Sequence, residues 1–164
     1  MFGLVTKAVA YRAVAFASTL FMSLAIVSNL PRFKERRQRY FAEAASTGSV
    51  ARLQLLHVAG ANVNAVRASQ SPLLLAAGEG KLRAVRYLID EGADINACLN
   101  GNTALTEATF YGHIPVVKEL LVHGANVNTI SANGSALDIA INRNDEGLIA
   151  LLKHYGAKRA SEIR

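Results

Sequence analysis

The chain has 164 residues, of which 51% are hydrophobic and 18% are charged, so its composition excludes an intrinsically disordered protein. The net charge of +6 lies within residues 1–40, because the rest of the chain carries equal numbers of basic and acidic side chains. Composition therefore reveals no basic face of the kind that a folded nucleic-acid-binding domain carries. The single cysteine, Cys98, rules out an intrachain disulfide, which suits a reducing compartment without requiring one.

An uncharged apolar stretch occupies residues 13–30. As a helix its 18 residues would span about 27 Å, close to the ~30 Å hydrocarbon core of a bilayer. Pro31 should end that helix, since proline lacks the backbone N–H. A basic cluster follows, made up of Arg32, Lys34, Arg36, Arg37 and Arg39. We predict an N-terminal hydrophobic helix in residues 1–30, as a transmembrane anchor or signal segment, and a basic juxtamembrane linker over 31–40.

Several interpretations of this segment stay open. A single-pass anchor would place the rest of the chain on the cytoplasmic side, because the basic cluster follows the apolar stretch. A cleaved secretory signal, with its site at Ser23-Leu24-Ala25, would make the protein periplasmic or secreted. An organelle presequence, or a helix packed on the remaining domain, are further alternatives. The cluster favours the anchor because it would resist translocation, and it predicts contact with anionic lipid headgroups.

A five-residue pattern recurs every 32 residues after the basic cluster. Gly60-Ala61-Asn62-Val63-Asn64 is followed by Gly92-Ala93-Asp94-Ile95-Asn96 and by Gly124-Ala125-Asn126-Val127-Asn128, and Gly156-Ala157 opens a fourth copy. A fixed period of this length predicts a protein of stacked repeats, in which neighbouring units build one continuous core. We therefore predict a repeat domain over 41–160 and a tail over 161–164.

Each repeat has the signals of a helix-turn-helix unit. Ser71, Thr103 and Ser135 are predicted N-caps of a first helix, since their side chains can accept a hydrogen bond from a free N–H. Gly80 and Gly112, with Asn144 in the fourth unit, are residue types that end such a helix by taking a positive φ. Val, Ile and Leu then recur at helical spacing through a second helix. These patterns predict an all-α fold.

The repeats resemble the ankyrin repeat. The resemblance rests on three motifs of the third unit: Thr103-Ala104-Leu105-Thr106, Val116-Val117 with Leu120-Leu121, and Gly124-Ala125-Asn126-Val127-Asn128. It extends over residues 39 to about 160 and implies an ankyrin-repeat solenoid of four helix-turn-helix units. The sequence departs from the family pattern where Arg39-Tyr40-Phe41-Ala42 replaces the usual start of the first unit. A second departure is that no unit has the His that the family pattern places at the start of each repeat.

The resemblance implies a binding scaffold without catalytic activity, which contacts protein partners through its loop tips and the exposed face of its first helices. Carried onto this sequence, the helical positions are Leu75, Glu79, Glu107, Phe110, Tyr111, Ile139, Asn142 and Arg143. The loop-tip positions are Arg67, Asn100 and Asn102, with Ser131 and Asn133 in the next loop. Phe110 and Tyr111 are the best candidates, because exposed aromatic side chains dominate binding hot spots. Burial of Phe110 between first helices is the alternative.

The sequence contains no pattern that indicates catalysis. His57, His123 and His154 fall at different repeat positions, so they do not predict a metal site. A phosphate-binding loop and a nucleophile elbow are missing from the sequence. We therefore expect no cofactor, no small-molecule substrate and no nucleic-acid partner. The predicted function is a membrane-tethered ankyrin adaptor, or an accessory subunit of a membrane complex. The alternatives are an exported ankyrin protein that binds or protects a partner, and a structural protein assembled through its N-terminal helix.

Overall fold

The structure is a computed structural model that describes residues 31–68 and 70–163. The predictions made for residues 1–30 lie outside these described residues. Within the described part, no helix has both the length and the apolar character needed to cross a membrane. The chain divides into two units, Met1–Arg37 and Gln38–Arg164.

The described residues form eight α-helices, one two-stranded hairpin and one short 3₁₀ helix. The helices are α1 (Pro31–Thr47), α2 (Val50–Val58), α3 (Pro72–Gly78), α4 (Leu82–Asp90), α5 (Ala104–Tyr111), α6 (Ile114–Val122), α7 (Ala136–Asn142) and α8 (Glu146–His154). The hairpin pairs β1 (Ile130–Ser131) with β2 (Gly134–Ser135), and the 3₁₀ helix spans Ala160–Glu162. The predicted helical repeat architecture is therefore confirmed for the described part, with a small hairpin added between α6 and α7.

The basic cluster lies on a helix. Helix α1 begins at Pro31, a position where the missing N–H costs nothing because the first N–H groups of a helix have no partner. It continues to Thr47, so the segment over 31–40 that the sequence assigns to a linker is helical. The side chains of Arg32, Lys34, Arg36 and Arg39 are exposed, and Arg37 is half-buried.

The predicted N-caps form. Ser71 Oγ accepts a hydrogen bond from the amide of Leu74 at 3.2 Å, at the start of α3. Thr103 and Ser135 make the same bond at the starts of α5 and α7, each within a capping box that also binds the cap residue's own N–H. Short polar side chains therefore fix where each of these helices begins.

The residues predicted to end the first helices have positive φ, as expected. Gly80 has φ +66° and Gly112 has φ +81°, while Asn144 has φ +54°. At Gly80 a side chain is excluded for a second reason. A Cβ there would lie 2.7 Å from Nδ1 of His113, whose Nε2 is 2.9 Å from the carbonyl oxygen of Gly78. The imidazole of one repeat therefore fits into the turn of the repeat before it.

The core runs through the stack of helix pairs. Helix α5 packs against α3 and α7, and α4 packs against α2 and α6. The second helices bury leucines at the same repeat position, namely Leu88, Leu120 and Leu152, each fully inaccessible to solvent. Fully buried alanines, such as Ala76, let neighbouring first helices approach closely. Burial of this apolar surface, at about 25 cal/mol per Å², is the main favourable contribution to folding.

Asparagine side chains link successive repeats. Asn64 Oδ1 accepts from the amide of Asp94 at 2.8 Å, and its Nδ2 donates to the carbonyl of Gly92 at 3.0 Å. Asn96 accepts from the amide of Asn126 at 2.7 Å, and Asn128 accepts from that of Lys158 at 2.9 Å. These bonds satisfy backbone groups that the helices leave unpaired, and they set the register between one repeat and the next.

The segment after α8 folds back onto the start of α7. The carboxylate of Asp138 accepts hydrogen bonds from the amide of Ala160 at 2.7 Å and from the guanidinium of Arg159 at 3.0 Å. Burial by itself raises the pKa of Asp138, but the hydrogen bonds from Ala160, Arg159 and Ser135 outweigh it and lower that pKa from 3.8 to about 2. The carboxylate therefore holds the last described residues against the fourth helix pair.

This lowered pKa predicts an acid-sensitive contribution to stability. Because the folded-state pKa lies below the unfolded value of 3.8, the contribution is complete above pH 3.8 and is lost as the pH falls through 2. We expect Asp138→Asn to lower the free energy of unfolding by about 2 kcal/mol at pH 6, with the difference from wild type narrowing towards pH 2. Urea titrations of the full chain in uncharged detergent micelles would measure this difference.

The matched control is Asp90→Asn, which removes the same charge from an exposed carboxylate on α4. A constant difference between Asp138→Asn and wild type from pH 6 to pH 2 would contradict the role assigned to Asp138.

Candidate functional site

One face of α5 presents an acidic side chain and two aromatic ones. Glu107, Phe110 and Tyr111 lie three and four residues apart, a spacing that brings side chains together on the surface of a helix. Helix α5 runs from Ala104 to Tyr111, with the capping box on Thr103 before it and Gly112 as its C-cap. The position and length of this helix therefore determine that these three side chains lie together on one face.

Phe110 and Tyr111 are both exposed to solvent. Phe110 is 44% exposed and Tyr111 is 55% exposed, so Phe110 is not buried between first helices. Their ring centroids are 5.2 Å apart and the ring planes are nearly perpendicular, at 88°. Edge-to-face contact of this kind is a favourable arrangement for two aromatic rings. The pair therefore forms an apolar surface that the core does not use.

The neighbouring repeat supports Tyr111. Its ring lies against Gly78 at the end of α3, where an added Cβ would be 3.7 Å from the ring edge. The Tyr111 ring also stacks on the imidazole of His113, with centroids 6.3 Å apart and planes at 25°. Contact on these two sides restricts the rotamers of Tyr111, which lowers the entropy that binding must still remove.

The tight turn before α5, from Leu99 to Asn102, contacts the carboxylate of Glu107. Asn100 and Gly101 have φ values of +53° and +81°, which a type I′ turn requires at its two central positions. The turn is closed by paired backbone hydrogen bonds between Leu99 and Asn102. Asn102 Nδ2 then donates to Glu107 Oε1 at 3.0 Å. The loop tip thus orients the carboxylate, and it leaves the second carboxylate oxygen available.

These residues surround a groove of about 220 Å³, which we call the aromatic groove. Its lining comes from α5, α7 and the two adjoining loops, and consists of Asn102, Thr106, Glu107, Phe110, Tyr111, Ser131, Asn133 and Ile139. Thr106 was not among the residues singled out from the sequence. Its place in the spacing Thr103-x-x-Thr106 identifies it as a capping-box residue, but only the packing of α7 on α5 places it in a groove.

The structure corrects the expected exposure of Ile139. This side chain is only 3% exposed, on a helix that packs against α5. Ile139 therefore forms part of the wall of the aromatic groove and belongs to the core. Arg143 is exposed and its Nη1 donates to the carbonyl oxygen of Phe110, at the C-terminal end of α5, where a positive charge is favoured.

Other residues predicted for partner binding lie outside the aromatic groove. Glu79 and Asn142 are exposed, and Leu75 is half-buried on α3. Asn100 is exposed at the loop tip next to Asn102. Arg67 is half-buried in the preceding loop, where its backbone pairs with Gln70. The structure thus brings together seven of the predicted positions, namely Asn102, Glu107, Phe110, Tyr111, Ser131, Asn133 and Ile139.

The histidines and acidic residues do not converge. No group of three or more His, Cys, Asp or Glu side chains within the described ranges is placed to hold a metal ion. His57 instead contacts the hydroxyl of Tyr87 at 3.1 Å and lies 3.3 Å from the carboxylate of Glu91. The described surface does have a groove lined by polar and aromatic side chains, which suits binding.

The sequence of the helix pairs matches a known family. Residues 41–131 match the family model for ankyrin repeats (3 copies). The chain belongs to the ankyrin repeat family. No curated protein matches its sequence. In this ankyrin repeat protein the family match ends at Ser131, within the hairpin that precedes the fourth helix pair, α7 and α8. Members of the family generally act as interaction modules, so this chain contains a protein–protein interaction module.

Phe110 and Ile139 differ in burial, so replacing each with Ala should lower the free energy of unfolding by different amounts. Phe110→Ala should lower the free energy of unfolding by less than about 1 kcal/mol, since the side chain is exposed. Ile139→Ala should lower it by about 2–4 kcal/mol, because it leaves a cavity between α5 and α7. Urea titrations of the full chain carrying each substitution would measure the two free energies of unfolding. Equal costs would contradict the assignment of Ile139 to the core.

Proposed function

We propose that this protein is a non-enzymatic scaffold whose protein partner binds in the aromatic groove. The observation that carries the proposal is the pair Phe110–Tyr111, which is exposed, in edge-to-face contact and next to the oriented carboxylate of Glu107. A cluster of rigid aromatic side chains beside a few fixed polar groups is the usual composition of a binding hot spot. The half-exposed rings contribute little to the fold itself, which leaves their apolar surface for a partner.

The groove needs the fourth helix pair. We propose that α7 and α8 are a fourth ankyrin repeat, since Ser135 caps α7 as Thr103 caps α5. Asn128 also bonds to the segment after α8 in the same way that Asn96 bonds to the segment after α6. The loop with Ser131 and Asn133, together with Ile139, supplies one wall of the groove. A partner that binds there contacts the third and fourth repeats together.

We further propose that the protein is tethered to a membrane, as an adaptor or as an accessory subunit of a membrane complex. The support is the uncharged stretch over residues 13–30, followed by the exposed basic side chains at the start of α1. These cations would contact anionic headgroups and keep the repeats on the cytoplasmic side. A tether of this kind raises the effective concentration of the scaffold towards a membrane-bound partner. The competing proposal, export after cleavage behind Ala25, rests on the small-residue site Ser23-Leu24-Ala25.

Replacing the aromatic pair tests the binding proposal. We expect Phe110→Ala with Tyr111→Ala to reduce partner capture from solubilised membranes by at least tenfold, since hot-spot residues each contribute about 2 kcal/mol or more. Captured proteins would be quantified by mass spectrometry against wild type. The matched control replaces Val58 and Val122, two exposed apolar residues on second helices. Unchanged capture by the aromatic variant, or equal loss in the control, would refute the site.

The mass of the mature chain tests the tether. We expect an intact N-terminus in the membrane fraction, because an anchor is retained, and we expect the chain to resist extraction at high salt. Mass spectrometry of the purified chain would give its first residue. A product that starts at Ile26 and is found in the soluble fraction would contradict the tether and support export after signal cleavage.

A further inference from the structure

The proposed function does not specify which residues the partner presents to the aromatic groove. The charges of the groove indicate which type of side chain fits. We propose that the groove binds a protein segment that inserts a cationic side chain, Arg or Lys, between the Glu107 carboxylate and the rings of Phe110 and Tyr111. This inference rests on the proposed function and adds the class of residue that the partner presents.

The lining of the groove carries a single charge, which is negative. Among the lining residues that the structure describes, Glu107 is the only acidic residue, and none is Lys, Arg or His. Glu107 is half-buried, and no basic side chain of the described ranges lies within ion-pair distance of it. A partly desolvated carboxylate without a counter-charge attracts a cation more strongly than a fully hydrated one does.

The two rings add a second preference for a cation. The face of an aromatic ring is electron-rich, so a guanidinium or ammonium group within about 6 Å of its centre is attracted to it. Glu107 lies three residues before Phe110 and four before Tyr111, on the same face of α5. One cation can therefore contact the carboxylate and a ring together.

The distribution of charge over the repeats points the same way. Helices α3, α5 and α7 contain no Lys or Arg, whereas α4, α6 and α8 contain Arg83, Arg86, Lys118 and Lys153. These three first helices, α3, α5 and α7, contain two acidic residues, Glu107 and Asp138. Asp138 forms an ion pair with Arg159, whereas Glu107 has no ion-pair partner among the described residues. The nearest cation in the adjoining turn, Arg143, is directed at the carbonyl of Phe110. Asn102 and Asn133 offer amide groups for the backbone of the inserted segment.

Short peptides test the inference on the full chain in uncharged detergent micelles. The probe is a capped pentapeptide with a central Arg between Leu residues. The first comparison peptide has citrulline in place of Arg, which keeps the shape and removes the charge, and the second has Glu. Binding is followed by the backbone amide NMR shifts of Glu107, Phe110 and Tyr111.

We expect the Arg peptide to shift these amides with an affinity at least about tenfold higher than the citrulline peptide, since a charge-assisted hydrogen bond is roughly twice as strong as a neutral one and a cation–π contact adds to it. Glu107→Gln keeps an acceptor for Asn102 and should reduce the affinity for the Arg peptide to that for citrulline. Asp90→Asn, with the same charge change on a second helix, should leave the affinity within about twofold.

The outcomes separate the inference from the proposed function. Equal affinity for the Arg and citrulline peptides, or preference for the Glu peptide, would overturn the cationic inference while groove binding stands. No shift of the groove amides with any peptide would also overturn it, and the proposed function would then depend on the capture experiment. An Arg peptide whose binding Glu107→Gln leaves unchanged would show that the carboxylate is not its contact.

Discussion

The register between neighbouring repeats is the constraint on which the rest of the structure depends. Each helix pair is too small to bury its own apolar face, so the buried leucines of α4, α6 and α8 are shielded only when the pairs stack. The side chains of Asn64, Asn96 and Asn128 hold that stacking to one geometry, since each bonds to the backbone of the next unit. Gln38 extends the same arrangement to the first repeat through two bonds to the backbone of Asn62.

The aromatic groove is a product of this register. Its residues come from two repeats and two loops, so no single helix pair contains the site. The imidazole of His113 fits the turn at Gly80 and supports the ring of Tyr111, while Asn102 orients Glu107 from the loop. Structural contacts between repeats and the proposed binding surface therefore share residues. A change in the spacing of the repeats would disturb the groove before it disturbed any one helix.

Features set by local sequence could be predicted, and features set by tertiary packing could not. The caps at Thr103 and Ser135 and the positive φ of Gly112 follow from residue type and position within one helix. The predicted exposure of the Ile139 side chain is wrong, because the burial of this residue depends on how closely α7 approaches α5. The bonds between Asp138 and the segment after α8 were also missed, since they join residues more than twenty positions apart.

The most direct test of the account is a photo-crosslink from the groove itself. A photoreactive phenylalanine analogue at position 111 should form a crosslink to the protein partner, because Tyr111 is exposed at the aromatic groove. The same analogue at position 122, on the exposed surface of α6, should form none. Crosslinking from position 122 but not from position 111 would contradict a partner seated in the groove.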